Sequence, residues 1–72
     1  MFDFPKFLRA EVGRPAALLK LLTAYGVDPP EYAAVQKWFQ RGSVPANWFA
    51  VLLAYLTLER GEPPNLCKYV RG

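Results

Sequence analysis

The chain is poor in the side chains that most enzymes use. It has no histidine, one cysteine and a single serine, Ser43, which lies in a predicted turn. Its two aspartates, Asp3 and Asp28, are far apart in the sequence. No cluster of cysteine and histidine is available to bind zinc, and no glycine-rich phosphate loop is present. We therefore expect a protein that is not an enzyme and that uses no metal, cofactor or small-molecule substrate.

The single cysteine, Cys67, excludes a disulfide within the chain. We favour its interpretation as a small apolar residue of the C-terminal segment, and the alternative is a reactive thiol that pairs with another chain. Polar residues interrupt the N-terminal phenylalanines, so we expect no signal peptide. The longest apolar run, Trp48 to Leu56, is far shorter than the roughly 20 residues that span a bilayer. These features predict a soluble cytoplasmic protein.

Composition indicates one small domain with a large apolar fraction. A chain of this size buries about 60% of the surface that its unfolded form exposes. Apolar residues make up 53% of the 72 residues, which favours a core that is dense or shared with a partner. The net charge of +3 suits a polyanionic partner without requiring one, because many small proteins are equally basic.

Prolines and glycines divide the chain into four predicted helices and a tail. β-Branched residues are sparse and no stretch alternates as a strand would, so the predicted fold class is all-α. Asp3 is the predicted N-cap of the first helix, and Asp28 or Pro29 that of the third. The predicted helices run from about Asp3 to Val12, from Pro15 to about Tyr25, from Pro30 or Glu31 to Arg41, and from Pro45 to about Arg60.

The fourth predicted helix is apolar on every side. From Trp48 to Leu58 only Thr57 is polar, so this helix must be buried on more than one side. In a single small domain, a partner subunit usually covers the second side of such a helix, and we therefore expect a homodimer. The tail, 61–72, is expected to pack on the domain or on the second subunit, or to be disordered. The predicted dimer interface contains Trp48, Val51, Leu52, Tyr55, Leu66 and Tyr69.

The third predicted helix has one apolar face and one polar face. Val35 and Trp38 lie three residues apart, so both can face a core, and Gly42 is placed to end the helix. The opposite face carries Gln36, Lys37, Gln40 and Arg41. A short helix with a buried face and an outer face of amides and cations is suited to reading a DNA groove.

Two segments of the sequence, VGRPAAL at 12–18 and VQKWFQRGSVPANW at 35–48, resemble a known family. They are similar to small phage-type Cro and repressor-like helix-turn-helix proteins of the lambda-repressor-like superfamily, including the group related to the YdaS antitoxin. The Trp-x-x-Arg-Gly-x-Val-Pro pattern is the specific part. The resemblance implies a four- or five-helix lambda-repressor-like domain over 1–60 and a short C-terminal arm over 61–72. It covers roughly Val12 to Leu56.

The chain departs from the family pattern between the second and third helices. Leu22 to Val35 holds about three extra residues, with Pro29 and Pro30 among them. We therefore expect the two helices to cross at an unusual angle, which alters which residues at the start of the third helix reach bases.

The resemblance places the exposed face of the third helix in the major groove. It assigns base contacts to Gln36, Lys37, Ala33, Gln40 and Tyr32, and phosphate contacts to Arg14, Lys20 and Arg41. Three alternatives remain open from the residues alone. Trp38 is either a core residue or a stacking platform, and Arg41 either contacts phosphate or caps helix carbonyls. Gln36 and Lys37 would equally suit an ordinary solvated face.

The predicted function is that of a sequence-specific double-stranded DNA-binding transcriptional regulator. We expect a bacterial or phage-encoded repressor that binds a palindromic operator as a dimer, with half-sites about one helical turn apart. The alternative is a protein-interaction module, such as an antitoxin or a phage-encoded inhibitor, that docks through its apolar fourth helix. The arrangement of the third helices in an oligomer would distinguish the two.

Overall fold

The computed structural model describes residues 1–71 and shows an all-helical protein, as the sequence predicts. The described residues form four α-helices: α1 (Phe4–Glu11), α2 (Pro15–Ala24), α3 (Tyr32–Arg41) and α4 (Ala46–Arg60). A 3-10 helix, Leu66–Tyr69, follows them. Among these residues, no helix combines the length and the apolar character that a bilayer crossing requires.

The predicted boundaries of the helices agree with the structure to within two residues. Asp3 is the N-cap of α1, and its side chain accepts a hydrogen bond from the Lys6 amide at 3.2 Å. At the end of α2, the left-handed Gly26 lets the Val27 amide donate to the Leu22 carbonyl at 3.0 Å. The Gly26 amide also donates to the Thr23 carbonyl at 3.0 Å, and these two hydrogen bonds turn the chain after the helix.

The predicted N-cap of α3 is wrong. The cap is Glu31, whose extended backbone (φ −65°, ψ 146°) places the start of the helix at Tyr32. An N-cap at Asp28 would need helical angles at Pro29, which the following proline disfavours. An N-cap at Pro29 would need helical angles at Glu31, whose backbone is extended. The Glu31 side chain makes no capping hydrogen bond.

The core is centred on α3, which packs most closely against α1 and α2. Val35 is fully buried and Trp38 is only 6% exposed, which confirms that both belong to the core. The Trp38 ring lies 6.1 Å from that of Trp48, so α4 also contacts this buried face of α3. The buried residues are Phe7, Leu8, Leu18, Leu22, Val35, Trp38, Phe39, Val44, Leu52, Leu56 and Tyr69.

Both ends of the described chain meet in a short antiparallel pairing. The Asp3 amide donates to the Tyr69 carbonyl at 2.6 Å, and the Arg71 amide donates to the Met1 carbonyl at 2.6 Å. The Met1 ammonium group donates to the Arg71 carbonyl at 2.7 Å. Of the three expectations for the tail, packing on the domain is therefore correct as far as residue 71; Gly72 lies outside the described residues.

Tyr69 anchors the tail by two kinds of contact. Its ring packs edge to face on Phe7, with ring centroids 5.5 Å apart, in the arrangement that aromatic pairs prefer. Its hydroxyl donates a hydrogen bond to the Glu11 carboxylate, which also forms an ion pair with Arg60. Arg60 donates a further bond to the Glu11 carbonyl at 2.7 Å. Glu11, Arg60 and Tyr69, which we call the Glu11 clasp, thus join α1, α4 and the tail.

The Glu11 clasp favours the ionised form of its carboxyl group. The hydrogen bond from Tyr69 is the main cause that lowers the pKa of Glu11, and Arg60 lowers it further, while burial opposes both. The same hydrogen bond raises the pKa of Tyr69. Because the Glu11 pKa is lower in the folded chain, the clasp stabilises the fold above the unfolded pKa of about 4.3, and the stabilisation is lost as the pH falls through the folded value.

Two of the residues predicted for the dimer interface lie inside the single chain. Leu52 is fully buried and Tyr69 is 3% exposed, so neither offers a surface to a second copy. Leu52 lies on the side of α4 that faces the core. Tyr69 belongs to the tail and is buried against Phe7, because the tail folds back onto the domain. The other four predicted interface residues, Trp48, Val51, Tyr55 and Leu66, are half-buried.

Replacing Trp38 with alanine should strongly destabilise the fold. Removing a buried tryptophan costs about 3–5 kcal/mol, a large share of the roughly 5–15 kcal/mol that stabilises a domain. Thermal melts followed by circular dichroism should show either an unfolded variant or a melting temperature lower by about 12 °C or more. Gln36→Ala, an exposed change in the same helix, serves as the control. Equal melting temperatures for both variants would contradict the packing of α3.

Replacing Tyr69 with phenylalanine should remove the hydroxyl of the Glu11 clasp while keeping the ring. We expect a loss of about 1–2 kcal/mol in the free energy of unfolding at pH 7. The variant should also lose less stability than the wild type between pH 7 and about pH 3, because its Glu11 pKa lies closer to the unfolded value. Urea titrations at each pH measure both effects. Tyr32→Phe, at a hydroxyl with no hydrogen bond among the described residues, is the control; parallel pH curves for wild type and Tyr69→Phe would contradict the assignment.

Candidate nucleic-acid interface

The outer surface of α3 carries two parallel rows of polar side chains. Residues four apart lie one above the other on a helix, so Gln36 and Gln40 form one row and Lys37 and Arg41 the other. All four are exposed. We call these pairs the amide row and the cation row. The opposite face of the same helix is buried, which fixes the direction in which both rows point.

The position of α3 is set at its C-terminal end by Gly42. Its left-handed backbone (φ 74°) ends the helix, and its amide donates to the Trp38 carbonyl at 3.2 Å. A Cβ atom at this glycine would lie 2.9 Å from Cδ of Pro5, closer than such atoms approach in proteins. The end of α3 therefore rests directly on the first turn of α1, and the absence of a side chain permits that contact.

The cation row borders an open depression of about 410 Å³ between α3 and the start of α4. Its lining residues are Glu31, Ala33, Ala34, Lys37, Trp38, Arg41, Ser43 and Pro45. The amide row does not line it. Within residues 1–71, the ion pairs are formed by Arg60 and Arg71, so the two cations of the row are not neutralised by a carboxylate. Glu31 contributes one negative charge to the lining and Lys37 and Arg41 contribute two positive charges, so the depression carries a net positive charge.

All of the predicted base-contacting residues lie on the surface of α3. Gln36, Lys37 and Gln40 belong to the two rows, Ala33 is exposed one turn earlier, and Tyr32 in the first turn is 48% exposed. The structure therefore groups these five residues on one helix. That they contact bases stays a prediction.

The predicted phosphate-contacting residues divide between two elements. Arg41 lies beside Lys37 in the cation row, whereas Arg14 is the N-cap of α2 and Lys20 is an exposed residue within that helix. The Arg41 side chain makes no hydrogen bond to a helix carbonyl among the described residues, so the capping alternative has no support. Trp38 is buried, so it is a core residue and not a stacking platform.

Sequence reasoning did not identify Ser43 and Pro45 as part of this surface. Ser43 is placed in a turn by the sequence, and Pro45 at the start of the next helix, but both line the depression beside the cation row. Their nearness to Arg41 along the chain was the available signal. It could not show on which side of α3 the turn would pass.

No known protein family, curated protein or solved structure matches this chain. The resemblance to phage-type repressors therefore stays a prediction that rests on the residues quoted above. Because one fold can support many functions, the function has to be argued from the surface itself.

Replacing Gly42 with alanine should disturb the contact between the end of α3 and Pro5, and Gly61 provides a matched comparison. Both glycines end a helix with nearly the same left-handed φ, 74° and 77°, but nothing lies within 4 Å of a Cβ at Gly61. Each alanine should cost about 1–2 kcal/mol for the backbone conformation. Gly42→Ala should cost about 1 kcal/mol more, because Pro5 must move. Equal losses in urea titrations would contradict the contact.

Proposed function

We propose that this protein is a Cro/repressor-like transcriptional regulator that binds double-stranded DNA in a sequence-specific manner. It would act as a repressor by occupying a palindromic operator as a dimer. The observation that carries the proposal is the two-sided character of α3. One face is held in the core by Val35 and Trp38, and the other presents the amide row and the cation row to solvent.

The chemistry of the outer face of α3 suits base edges in a major groove. An α-helix fits this groove, where glutamine pairs with adenine through two hydrogen bonds and lysine donates to guanine. The Ala33 methyl group is able to contact the methyl group of thymine. Two rows of different chemistry on one helix would read neighbouring positions along the groove.

The charge distribution around α3 supports a polyanionic partner. Arg41 lies on α3 itself, and Arg14 and Lys20 supply further cations on α2. Cations of this kind bind phosphates and give an affinity that falls as salt rises. Glu31 opposes the attraction at the start of α3, so its replacement with glutamine should strengthen binding.

Selection from random duplexes should enrich a palindromic sequence, which then serves as the operator. Gln36→Ala should cost about 1–3 kcal/mol on this operator and much less on random DNA, because a base contact is lost. Lys37→Ala is expected to behave in the same way. Arg14→Ala, Lys20→Ala and Arg41→Ala should instead weaken binding to every sequence and each reduce the salt slope by about one unit.

Fluorescence anisotropy at several salt concentrations measures these effects, and Arg9→Ala is a control. Arg9 is an exposed cation on α1, outside the predicted interface, so its loss should change affinity less than the loss of Arg41. If no sequence is enriched and Lys37→Ala leaves the affinity for duplex DNA unchanged, the proposed function is wrong.

A second candidate function is a protein-interaction module that docks through α4. The observation in its favour is that this helix keeps exposed apolar surface, with Leu58 64% exposed. A monomer that binds no duplex DNA but forms a defined complex with another protein would support this candidate over the regulator.

A further inference from the structure

The outward side of α4 is an uncharged surface that the rest of the chain leaves uncovered. Leu58 is 64% exposed, the three alanines of this side are exposed, and Val51 is half-buried at its edge. We call this surface the outer face of α4; it consists of Ala46, Asn47, Ala50, Val51, Ala54 and Leu58.

The outer face differs in charge from the exposed faces of the other helices. From Gly42 to Leu58 the sequence contains no charged residue, although 21% of the chain is charged. The exposed positions of α1, α2 and α3 include Lys6, Lys20 and Lys37. The lack of charge therefore belongs to this face and is not a property of the whole surface.

We infer that the outer face of α4 binds the same face of a second copy of this chain, with the two helices antiparallel. In a two-fold contact, each residue near the axis meets its own copy or a close neighbour of it. A charge there would face a like charge, which is strongly unfavourable. A face without charge along its length satisfies this condition, whereas an unlike partner would be free to meet charges with opposite charges.

The two ends of α4 favour the antiparallel orientation. The N-terminal end has the positive pole of the helix dipole, and the nearby depression brings Lys37 and Arg41 close to it. The C-terminal end has the negative pole and the exposed Glu59 and Glu62. Arg60 at that end already pairs with Glu11 inside the chain. Antiparallel helices bring ends of opposite sign together, and parallel helices would bring like ends together.

The spacing of small residues indicates where the axis crosses. Ala46, Ala50 and Ala54 are four residues apart, so they form one line along the helix and allow a close approach of the partner helix. The uncharged face is centred between Ala50 and Ala54, and centring the axis there gives the longest overlap. Ala50 of one copy would then pack on Ala54 of the other.

One helix face per partner makes a small interface. Stable interfaces bury about 800 Å² on each partner, and a single helix of this length offers less. The dimer should therefore be weak, with a dissociation constant on the order of 10 µM. Two such copies would be held together more firmly when both bind one operator, since DNA then adds to the association.

This inference deepens the proposed function by locating the dimer contact, yet its test needs no DNA. Sedimentation velocity of the free chain over a range of concentrations should show a species of 8.2 kDa that shifts towards twice that mass. Ala54→Glu should raise the dissociation constant about tenfold or more, because it places like charges near the axis. Ala10→Glu adds the same charge to an exposed alanine of α1 and should leave the dissociation constant unchanged.

A mixture of two variants tests the orientation. Ala50→Lys and Ala54→Glu should each dimerise poorly alone, and an equimolar mixture should form a heterodimer, because antiparallel helices bring the two positions together. Ala54→Lys mixed with Ala54→Glu should form less heterodimer, since only parallel helices would bring these two residues opposite each other. The reverse pattern, or a wild type that stays monomeric throughout, would overturn the inference.

Circular dichroism would check that each variant is folded. The rate of disulfide formation between cysteine variants gives a second readout. In a Cys67→Ser background, Ala50→Cys mixed with Ala54→Cys should form a mixed disulfide faster than Ala10→Cys mixed with Ala54→Cys. Equal rates would overturn the inference. A chain that stays monomeric but still binds a selected operator would remove the inference and leave the proposed sequence-specific DNA binding intact. A chain that dimerises but binds no duplex DNA would remove the proposed function and leave the inference intact.

Discussion

Burial of one face of α3 is the interaction on which the rest of the structure depends. Val35, Trp38 and Phe39 fill the space between α3 and the surrounding helices, and their burial turns the polar rows of the same helix outward. A domain of this size has little core to spare, so each of these side chains carries a large share of the stability. The candidate interface is thus a direct consequence of core packing: its orientation needs no further element.

The paired ends of the chain supply cover that the four helices cannot. Tyr69 closes the aromatic cluster around Phe7, and the Glu11 clasp ties the tail to α1 and α4. The clasp uses groups that are distant in sequence and of different kinds: an aromatic hydroxyl, a carboxylate and a guanidinium group. It gives the tail a fixed position as far as residue 71, although residues 61–71 contain only one short turn of 3-10 helix.

The sequence predicted local features well and long-range ones poorly. Periodicity and glycine positions located the four helices, the buried Trp38 and the exposed rows of α3, because these depend on neighbours within a few residues. The contact of Gly42 with Pro5 and the burial of Tyr69 depend on how distant segments meet, and no local pattern encodes that. The apolar character of α4 predicted that it needs cover on two sides, but periodicity could not show that Leu52 lies inward and Leu58 outward.

The hydrogen bonds between Met1 and Arg71 bear on how the chain folds during synthesis on the ribosome. These hydrogen bonds join residues 70 positions apart, so they close a loop that contains almost the whole chain. While Tyr69 is still within the exit tunnel, Phe2 and Phe7 lack the ring that packs against them in the folded chain. The helices are able to form and collapse earlier, but the aromatic cluster stays incomplete until Tyr69 emerges. In the nascent chain, this cluster is therefore an apolar surface that is open to a chaperone or to another unfinished copy.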